Sequence, residues 1–309
     1  MSNATHLIAL DWGTTSLRAA LLDGAGTIVD HIHTDDGILA VAVQGFQAVF
    51  DRVAAAWLRD HPDAAVLAAG MAGSRQGWCE TPYLPCPVGF HELGQGLVWS
   101  TRTGGSIGFV PGLATGQDVG APDVMRGEET QVFGALDALG MDDGIFVLPG
   151  THSKWVQVEN RRIRDFHTYM TGEVFALLRQ HSILSRTMPE GAPVSWEEGR
   201  SSFSAGCALA AEGALLHNLF SVRARGLLGG LAGELAPDYL SGLLIGEEIR
   251  EALALLEPGA SHIHLVCKPV LLERYQEALS VFGLSGSGCP EQASHLGMLA
   301  IARHLGLVA

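Results

Sequence analysis

The sequence predicts an α/β protein built from two lobes. A pattern of strand, tight turn, strand, tight turn, strand and helix occurs twice, about 140 residues apart, which indicates an internal duplication. The chain has 309 residues, enough for two domains of ordinary size. We therefore expect lobes at residues 1–140 and 141–309, each a mixed sheet flanked by helices, with a cleft between them.

The first repeat opens with three short apolar runs separated by turn residues, which predict strands at 6–10, 16–22 and 27–33. Apolar residues at helical spacing predict a helix over 44–59, which ends before Pro62 because proline cannot continue a helix. A buried strand at 65–69 follows. Residues 81–120 are rich in proline and glycine and are expected to form loops with short strands. A helix over 128–139 ends the first lobe.

The second repeat begins near residue 144. Its predicted strands and first helix cover 144–148, 154–159, 163–170 and 172–181. The rest of the chain is predicted to be mostly helical, with helices over 203–219, 237–256, 269–282 and 291–305. One strand, at 262–266, is expected among them.

Composition and charge argue against several classes of protein. Hydrophobic residues make up 47% of the chain and charged residues 17%, which is typical of a globular protein with a core. The formal net charge of −14 argues against nucleic acid or an anionic membrane as a partner, since both require a basic face. We expect neither a signal peptide nor a membrane span. Five cysteines without a CxxC pair predict reduced thiols and a cytosolic, cytoplasmic location.

The turn after the first strand carries the strongest chemical signal. Asp11 ends the strand, Gly13 allows the backbone to approach a ligand, and Thr14, Thr15 and Ser16 supply N–H groups and hydroxyls. Successive N–H groups in a turn form an anion-binding concavity. A carboxylate beside bound phosphate is repelled unless a divalent cation lies between them, so Asp11 is predicted to hold Mg²⁺ through water. The alternative is an ordinary turn whose polar side chains cap the backbone.

A second turn of the same build lies at residues 149–154. It presents Gly150, Thr151, His152 and Ser153, and it has Lys154 in place of the acid, which suits the neutralisation of phosphate. Two such hairpins, one in each lobe, suit a grip on a triphosphate across a cleft. Neither is a Walker A loop, and no GxGxxG follows a strand. An acyl-transfer TxxK site is disfavoured here, because that motif opens a helix and this turn opens a strand.

Both turns resemble known motifs. DWGTTS is similar to the phosphate-1 motif of the actin, Hsp70 and sugar-kinase superfamily, and LPGTHSKW is similar to its phosphate-2 motif. ASHLGMLAIARHLGL resembles the C-terminal helix that packs back between the lobes of these proteins. Longer runs, including GMAGSRQGWCETPYLPCP, PDVMRGEETQVFGALDALG and TYMTGEVFALLRQHSIL, resemble the 2-dehydro-3-deoxygalactonokinase family and span nearly the whole chain in order.

The resemblance implies an actin-like ATPase (ribonuclease H-like) fold. It also implies phosphorylation of 2-dehydro-3-deoxy-D-galactonate at its terminal (C6) hydroxyl by ATP and Mg²⁺, in galactonate catabolism. Asp11 would be the catalytic acid linked to Mg²⁺, and the turns at 13–16 and 150–154 would hold the phosphates of ATP. The first lobe would bind the sugar acid and the second the nucleotide, with Gly246 a point of close approach to the nucleotide or a helix-packing residue.

A resemblance over a shorter segment implies which residue is the general base. Related sugar kinases carry an acid in a Gly-Asp-Gln context at the start of a helix, where this chain has Gly127, Glu128 and Glu129. Glu128 is the first choice for the base because it directly follows the glycine, and Asp123 and Glu129 are its rivals. The alternative is that these acids only stabilise the positive end of the helix dipole.

A sugar acid also needs a cation for its carboxylate. Arg75 and Arg126 lie in glycine-rich loops of the first lobe, where either could form a bidentate fork. Arg223 and Arg225 are further candidates, or they form the exposed face of a helix. Trp78 is predicted to pack on the sugar, with a place in the core as the alternative.

Two other functions stay open from the sequence. The first is a kinase of a neutral sugar or another sugar acid on the same scaffold, which the orientation of Arg75 and Arg126 would discriminate. The second is an ATP-binding regulatory protein without acceptor chemistry. Its discriminating observation is the absence of turnover with ATP still bound.

Overall fold

A computed structural model describes residues 4–41, 45–102, 104–116, 121–189, 194–256 and 261–309. The strands are β1 (His6–Trp12), β2 (Leu17–Asp23), β3 (Ile28–Thr34), β4 (Ala65–Gly70), β5 (Tyr83–Pro85), β6 (Val98–Arg102), β7 (Gly105–Phe109), β8 (Gly112–Thr115), β9 (Asp123–Met125), β10 (Gly144–Leu148), β11 (Ser153–Glu159), β12 (Arg162–Tyr169), β13 (His262–Leu265) and β14 (Ser285–Gly288). The helices are α1 (Ile38–Val41), α2 (Phe46–Asp60), α3 (Phe90–Gly96), α4 (Glu128–Leu139), α5 (Thr171–His181), α6 (Trp196–Ala211), α7 (Leu215–Leu227), α8 (Ala236–Leu255), α9 (Pro269–Val281) and α10 (Ala293–His304).

The first large sheet has the strand order β3-β2-β1-β4-β7-β6. β1, β4 and β7 run parallel, so their carboxyl ends lie at one edge of the sheet. β1 carries buried residues from Leu7 to Trp12, as expected for a strand covered on both faces. The amphipathic helix α2 contributes Val49, Phe50 and Trp57 to the core cluster that the strands also line.

The second large sheet has the order β12-β11-β10-β13-β14. It begins with three consecutive strands. β13 then runs parallel to β10, and β14 runs parallel to β13. The first sheet also begins with three consecutive strands, so the predicted internal duplication is confirmed at the level of strand order. A third, smaller sheet has the order β5-β8-β9.

The chain forms two compact units. The first comprises Met1–Gly144, Val156–Phe166 and Cys289–Ala309, and the second comprises Ile145–Trp155 and His167–Gly288. The first break is close to the predicted one at residue 140, but the C-terminal segment joins the first unit, whereas the sequence prediction grouped it with the second lobe. Within the first unit α10 packs on α4. A position of α10 between lobes stays a prediction, as do the functions assigned to the two lobes.

Some predicted elements differ from the structure. The helix predicted over 203–219 is wrong, because α6 and α7 are separated at Gly213 and Ala214, whose φ angles are +82° and +63°. A left-handed backbone ends a right-handed helix, and glycine adopts it without strain. The predicted helix over 44–59 begins at Phe46 in the structure, and Gln44 lies outside the described residues. Residues 81–120 hold β5, α3, β6, β7 and β8, more regular structure than the loops expected.

The contact between α4 and α10 depends on glycine. A Cβ at Gly134 would overlap the backbone oxygen of Ala293, and a Cβ at Gly297 would overlap that of Thr130. Beside these glycines the hydroxyls of Thr130 and Ser294 lie 3.2 Å apart. Backbone-to-backbone packing of this kind leaves no room for a side chain on the facing positions.

Gly297→Ala is expected to lower the free energy of unfolding by about 1–3 kcal/mol, because the added methyl group has no space at the helix contact. The usual effect of this substitution inside a helix is stabilisation by up to about 1 kcal/mol. Urea unfolding followed by circular dichroism measures the difference. Gly226→Ala in α7 is the matched control, since a Cβ there would have its nearest neighbouring atom 3.8 Å away and the substitution should be tolerated. Wild-type stability of Gly297→Ala would contradict the close contact.

Candidate active site

The first candidate centre lies at the carboxyl end of β1. Asp11 is 7% exposed and stands opposite Arg18 in the β1–β2 register. The Arg18 guanidinium donates to Asp11 Oδ2 at 2.6 Å, and the Arg18 side chain is half exposed. His295 of α10 places its Nε2 3.3 Å from the carbonyl oxygen of Arg18. The Asp11 carboxylate is therefore held in position from the neighbouring strand.

The turn between β1 and β2 leaves donors available. The N–H of Gly13 donates to the carbonyl oxygen of Ser16 at 2.9 Å, which closes the turn. The carbonyl oxygens of Gly13 and Thr14 accept from the start of α1, at Ile38 and Leu39. Thr14 and Thr15 are exposed, and in the described part of the chain their backbone N–H groups make no hydrogen bond. Two adjacent free N–H groups suit an anion.

Glycines bring the start of α4 to the end of β4. Gly70, with φ +81°, ends β4 beside Trp12 of β1 in the parallel register. A Cβ at Gly70 would lie 3.6 Å from Asp11 Oδ1, and a Cβ at Gly127 would lie 3.0 Å from the Cα of Gly70. Because Gly127 directly precedes α4, this helix starts next to the end of β4, which pairs with the end of β1 that carries Asp11.

The two glutamates at the start of α4 have different environments. Glu128 is half buried, and its Oε2 accepts from the N–H of Arg126 at 3.0 Å. Glu129 is fully buried, and its Oε2 accepts from the N–H of Gly127 at 2.7 Å. Oε1 of Glu129 has no hydrogen-bond partner among the described residues. Burial, with the charge of Glu128 second, raises the pKa of Glu129 to about 8.

These environments bear on the choice of base. Glu128 keeps partial access to solvent, whereas Glu129 is enclosed and is held neutral around neutral pH. Asp123, the third candidate, lies on β9 and its carboxylate accepts from the N–H of Val124 at 2.7 Å. The assignment of the base to Glu128 stays a prediction, and the geometry favours it over its neighbour.

The two predicted arginines of the first lobe differ in their contacts. Arg126 donates to the hydroxyl of Thr81 and, at 3.0 Å, to its carbonyl oxygen, and its guanidinium lies 4.2 Å from the ring centre of Tyr83. Arg75 is exposed, just after the 3₁₀ turn that follows β4, and it forms no hydrogen bond or ion pair with any described residue. Arg75 is therefore available for an anionic ligand, while Arg126 is largely occupied within the protein.

Trp78, the other candidate of the first lobe, packs against the core. Trp78 lies among the rings of Trp12, Phe46, Phe50 and Phe109, with ring centres 5.6–6.1 Å apart. The ring is only partly buried. Its packing matches the alternative given for it from the sequence, and a contact with the sugar stays a prediction.

The second candidate centre lies at the turn between β10 and β11. Gly150, Thr151 and His152 are exposed, whereas Ser153 and Lys154 are buried. His152 Nε2 lies 2.6 Å from a carboxylate oxygen of Glu173, outside the turn. The side chains that the sequence grouped together thus divide into an outward set and an inward set.

The inward side chains already have partners. The Ser153 hydroxyl donates to Glu248 Oε1 at 2.7 Å, and Lys154 Nζ donates to the hydroxyl of Thr168 at 2.6 Å. A hydrogen bond from Ser153 to phosphate would require the bond to Glu248 to be given up, since a hydroxyl has one hydrogen. The roles of Ser153 and Lys154 in phosphate binding stay predictions, and the backbone of the turn fits the role more directly.

The turn sits on the first residues of α5. A Cβ at Gly172 would overlap the carbonyl oxygen of Gly150, and the N–H of Glu173 donates to the carbonyl oxygen of Thr151 at 3.0 Å. The N-terminus of a helix carries a partial positive charge and unpaired N–H groups, which favour phosphate. The hairpin and this helix start together form a site suited to an anion.

A cavity of about 270 Å³ opens beside the hairpin, within the second unit. Its lining combines apolar side chains with a few polar groups and includes Pro149, Gly150, Thr171, Gly172, Phe175, Arg179, Glu234, Pro237, Asp238, Ser241, Leu244, Ile245, Leu271, Arg274 and Tyr275. Asp238 and Arg274 form an ion pair at 2.7 Å on its wall. An apolar cavity with a few convergent polar groups is typical of a small-molecule site.

This cavity could not be predicted from the sequence. Its residues come from α5, α8, α9 and the hairpin, and no local motif joins them. One partial signal was present, since Asp238 interrupts the mostly apolar start of α8 and lines the cavity.

Gly246 does not line this cavity. A Cβ there would lie 2.7 Å from the Cβ of Ala210 and 3.0 Å from the Cα of Cys207, so the residue serves the contact of α8 with α6. This is the helix-packing alternative that the sequence left open. A contact of Gly246 with nucleotide stays a prediction.

Residues 11–301 match the family model described as 2-keto-3-deoxy-galactonokinase. The chain belongs to this family. A probable 2-dehydro-3-deoxygalactonokinase of Rhizobium meliloti (strain 1021) is 36% identical over 310 residues, 98% of each chain. The 2-dehydro-3-deoxygalactonokinase of Escherichia coli (strain K12) is 38% identical over 280 residues, 89% of this chain and 90% of the relative.

Solved structures agree on the fold. A crystal structure from Sinorhizobium meliloti, of a candidate 2-dehydro-3-deoxygalactonokinase, has a TM-score of 0.89 at 35% identity, covering 97% of this chain and 99% of the other. The activator of 2-hydroxyisocaproyl-CoA dehydratase from Clostridium difficile has a TM-score of 0.51 at 11% identity, covering 97% and 95%, which is a likeness of fold alone. The predicted α/β class, with the actin-like ATPase and sugar-kinase fold of the family, is confirmed.

Two further features were searched among the described residues. No helix there is long and apolar enough to cross a membrane. No group of three or more histidine, cysteine, aspartate or glutamate side chains there is arranged to hold a metal ion.

Glu129→Gln is expected to stabilise this family member at alkaline pH. The pKa of Glu129 is about 8 in the folded protein, against an ordinary value of 4.5. Between these values the unfolded chain has lost the proton that the folded chain keeps, so stability falls as pH rises, by about 1.4 kcal/mol per pH unit. Below pH 4.5 both states are protonated and this dependence ends.

Urea unfolding at pH 5 and pH 8 measures this effect. Glutamine cannot ionise and keeps the acceptor for the N–H of Gly127. The stability gain of Glu129→Gln over the wild type should therefore be larger at pH 8 than at pH 5. A gain that is the same at both pH values would contradict the raised pKa.

Proposed function

We propose that the protein transfers the terminal phosphoryl group of ATP to the C6 hydroxyl of 2-dehydro-3-deoxy-D-galactonate, as a step in galactonate catabolism. The observation that carries the proposal is the match of residues 11–301 to the 2-keto-3-deoxy-galactonokinase family. The names of the relatives from Rhizobium meliloti and Escherichia coli point to the same reaction.

The nucleotide is assigned to the second unit. The cavity lined by Phe175, Leu244 and Ile245 offers an apolar site for the base and ribose. Its lining continues to Gly150 and Thr171, where the hairpin meets the start of α5. Phosphates at that end would meet backbone N–H groups and the positive end of the helix dipole.

The turn in the first unit is assigned to the transferred phosphoryl group. The free N–H groups of Thr14 and Thr15 suit its oxygens, and Asp11 suits a magnesium ion that keeps several waters, since Mg²⁺ needs only one or two protein carboxylates. Bound there, Mg²⁺ would neutralise charge that develops on the phosphate oxygens. Arg18 fixes the Asp11 carboxylate for this role.

The acceptor is a primary alcohol, so a base near its oxygen assists the transfer by taking the proton. Glu128 is our assignment, because it is partly exposed at the start of α4, which begins next to the end of β4, the strand that pairs with β1 and its Asp11. Most of the catalysis in such reactions comes from positioning and charge neutralisation, so the base supplies only part of the rate.

The carboxylate of the sugar acid is assigned to Arg75. The side chain is exposed and forms no ion pair with a described residue, in a loop at the carboxyl end of β4. Arg126 would act indirectly, because its guanidinium is already bonded to the hydroxyl and the carbonyl oxygen of Thr81. The formal net charge of −14 disfavours nucleic acid and anionic membranes as partners, which supports a cytosolic enzyme that acts on small molecules.

Glu128→Gln is expected to lower kcat for 2-dehydro-3-deoxy-D-galactonate by about 10²–10⁴-fold, because the amide cannot take the proton of the acceptor. A coupled assay of ADP release measures turnover, with the gluconate epimer and a neutral sugar as comparison substrates. Asp123→Asn is the matched control and should keep wild-type kcat. Turnover that survives Glu128→Gln would move the base to Asp123 or Glu129. Absence of turnover of every sugar acid by the wild type, with ATP still bound, would favour an ATP-binding protein without acceptor chemistry.

Arg75→Leu is expected to raise KM for the sugar acid by about tenfold or more, because a charge-assisted bond to the carboxylate is lost. KM for ATP should not change. Arg59→Leu, on an exposed stretch of α2, is the matched control. A neutral sugar that is phosphorylated as well as the sugar acid, with no effect of Arg75→Leu, would favour a kinase of another substrate.

A further inference from the structure

Glu248 of α8 is a buried acid that the proposed chemistry does not use. It is 2% exposed and is surrounded by donors. Oε1 accepts from the Ser153 hydroxyl at 2.7 Å and from the Trp155 indole N–H at 2.8 Å, and the Tyr275 hydroxyl lies 2.9 Å from Oε2. The Thr171 hydroxyl donates to the same carboxylate.

These four donors belong to three elements of the second unit. Ser153 and Trp155 lie on β11, where Ser153 directly follows the hairpin turn, Thr171 is the first residue of α5, and Tyr275 lies on α9. Thr171 and Tyr275 also line the cavity assigned to the nucleotide. One carboxylate therefore joins the hairpin to two walls of the cavity.

The buried carboxylate of Glu248 costs free energy without its donors, and the buried donors cost free energy without the carboxylate. Burial raises the pKa of Glu248, while the donated hydrogen bonds act in the opposite direction. Removing the acceptor would leave the indole N–H of Trp155 buried without its partner and would take from the Ser153 hydroxyl its acceptor at 2.7 Å, which disfavours the observed conformation. Ser153 has only one hydroxyl hydrogen, so while it donates to Glu248 it cannot donate to phosphate.

We propose that Glu248 is a positioning residue for nucleotide binding, which holds the hairpin at Gly150–Thr151 in register with the cavity through Ser153, Thr171 and Tyr275. The proposal rests on the proposed function for the identity of the ligand as a nucleoside triphosphate. Glu248 touches no phosphate itself and acts through the backbone that it orients.

The neighbouring acid provides a matched comparison. Glu247 is also buried, at 6% exposed, but it pairs with Arg250 on the same helix at 2.6 Å. It therefore has the chemistry and burial of Glu248 without a bond to the hairpin. An effect on nucleotide binding that is confined to Glu248 cannot come from the loss of a buried acid in α8 alone.

The test compares Glu248→Leu, Glu248→Gln and Glu247→Leu in the full chain. Calorimetry with a non-hydrolysable ATP analogue gives the Kd, and thermal unfolding reports stability. Glu248→Leu removes the acceptor at similar size, and its Kd should rise about tenfold or more. Glu248→Gln keeps an acceptor for Trp155 and can donate to the hydroxyls of Thr171 and Tyr275, so its Kd should stay within about threefold of the wild type.

Steady-state kinetics add a readout that loss of stability alone does not move. In Glu248→Leu, KM for ATP should rise while KM for the sugar acid stays the same. If Glu248→Leu does not fold, Trp155→Phe takes its place, since Trp155 contacts Glu248 but does not line the cavity. Its Kd for the analogue should rise severalfold.

Three outcomes would overturn the proposal. They are an unchanged Kd in a folded Glu248→Leu or Trp155→Phe, an equal rise in Glu247→Leu, and a loss in Glu248→Gln as large as in Glu248→Leu. The proposed function fails in a different way. A wild type that binds the analogue but phosphorylates no sugar acid would sink the kinase assignment and leave the role of Glu248 standing.

Discussion

Close backbone contact at glycine is the constraint on which the first-unit centre depends. Gly70 ends β4 with φ +81°, and Gly127 lies against it just before α4. A Cβ at Gly127 would lie 3.0 Å from the Cα of Gly70, and a Cβ at Gly70 would lie 2.9 Å from the carbonyl oxygen of Trp12. The same helix is held from behind by α10, again through glycine, at Gly134 and Gly297. The distance between Asp11 and the acids of α4 is thus determined by backbone packing rather than by contacts between the acidic side chains themselves.

The three buried acids Asp11, Glu129 and Glu248 have different surroundings. Asp11 is buried and is paired with the half-exposed side chain of Arg18. Glu129 and Glu248 are enclosed, and burial raises the pKa of both. Glu129 has one oxygen without a partner among the described residues, whereas Glu248 collects four donors. Glu129 therefore makes the free energy of unfolding fall as pH rises, whereas Glu248 holds together the segments that donate to it.

Much of the fold could be predicted from local pattern. The strands at both repeats, α2, α4 and the long α8 follow from the spacing of apolar residues, because burial of one face imposes the period. The break between α6 and α7 was missed, since only Gly213 marks it and Ala214 adopts a left-handed backbone without any sequence signal. β14 was missed as well, because its residues Ser-Gly-Ser-Gly have low strand propensity and pair only through β13.

The sequence by itself determined the two turns, the likeness to a kinase family and the residue types available for phosphate, metal and carboxylate. Tertiary structure decided which of them face a ligand. Arg75 has no partner among the described residues and Arg126 is occupied, although both lie in similar glycine-rich loops. Ser153 turns inward because its hydroxyl donates to Glu248, a residue that lies 95 positions away in the chain. Side-chain direction depends on contacts between distant segments, and local pattern carries no record of them.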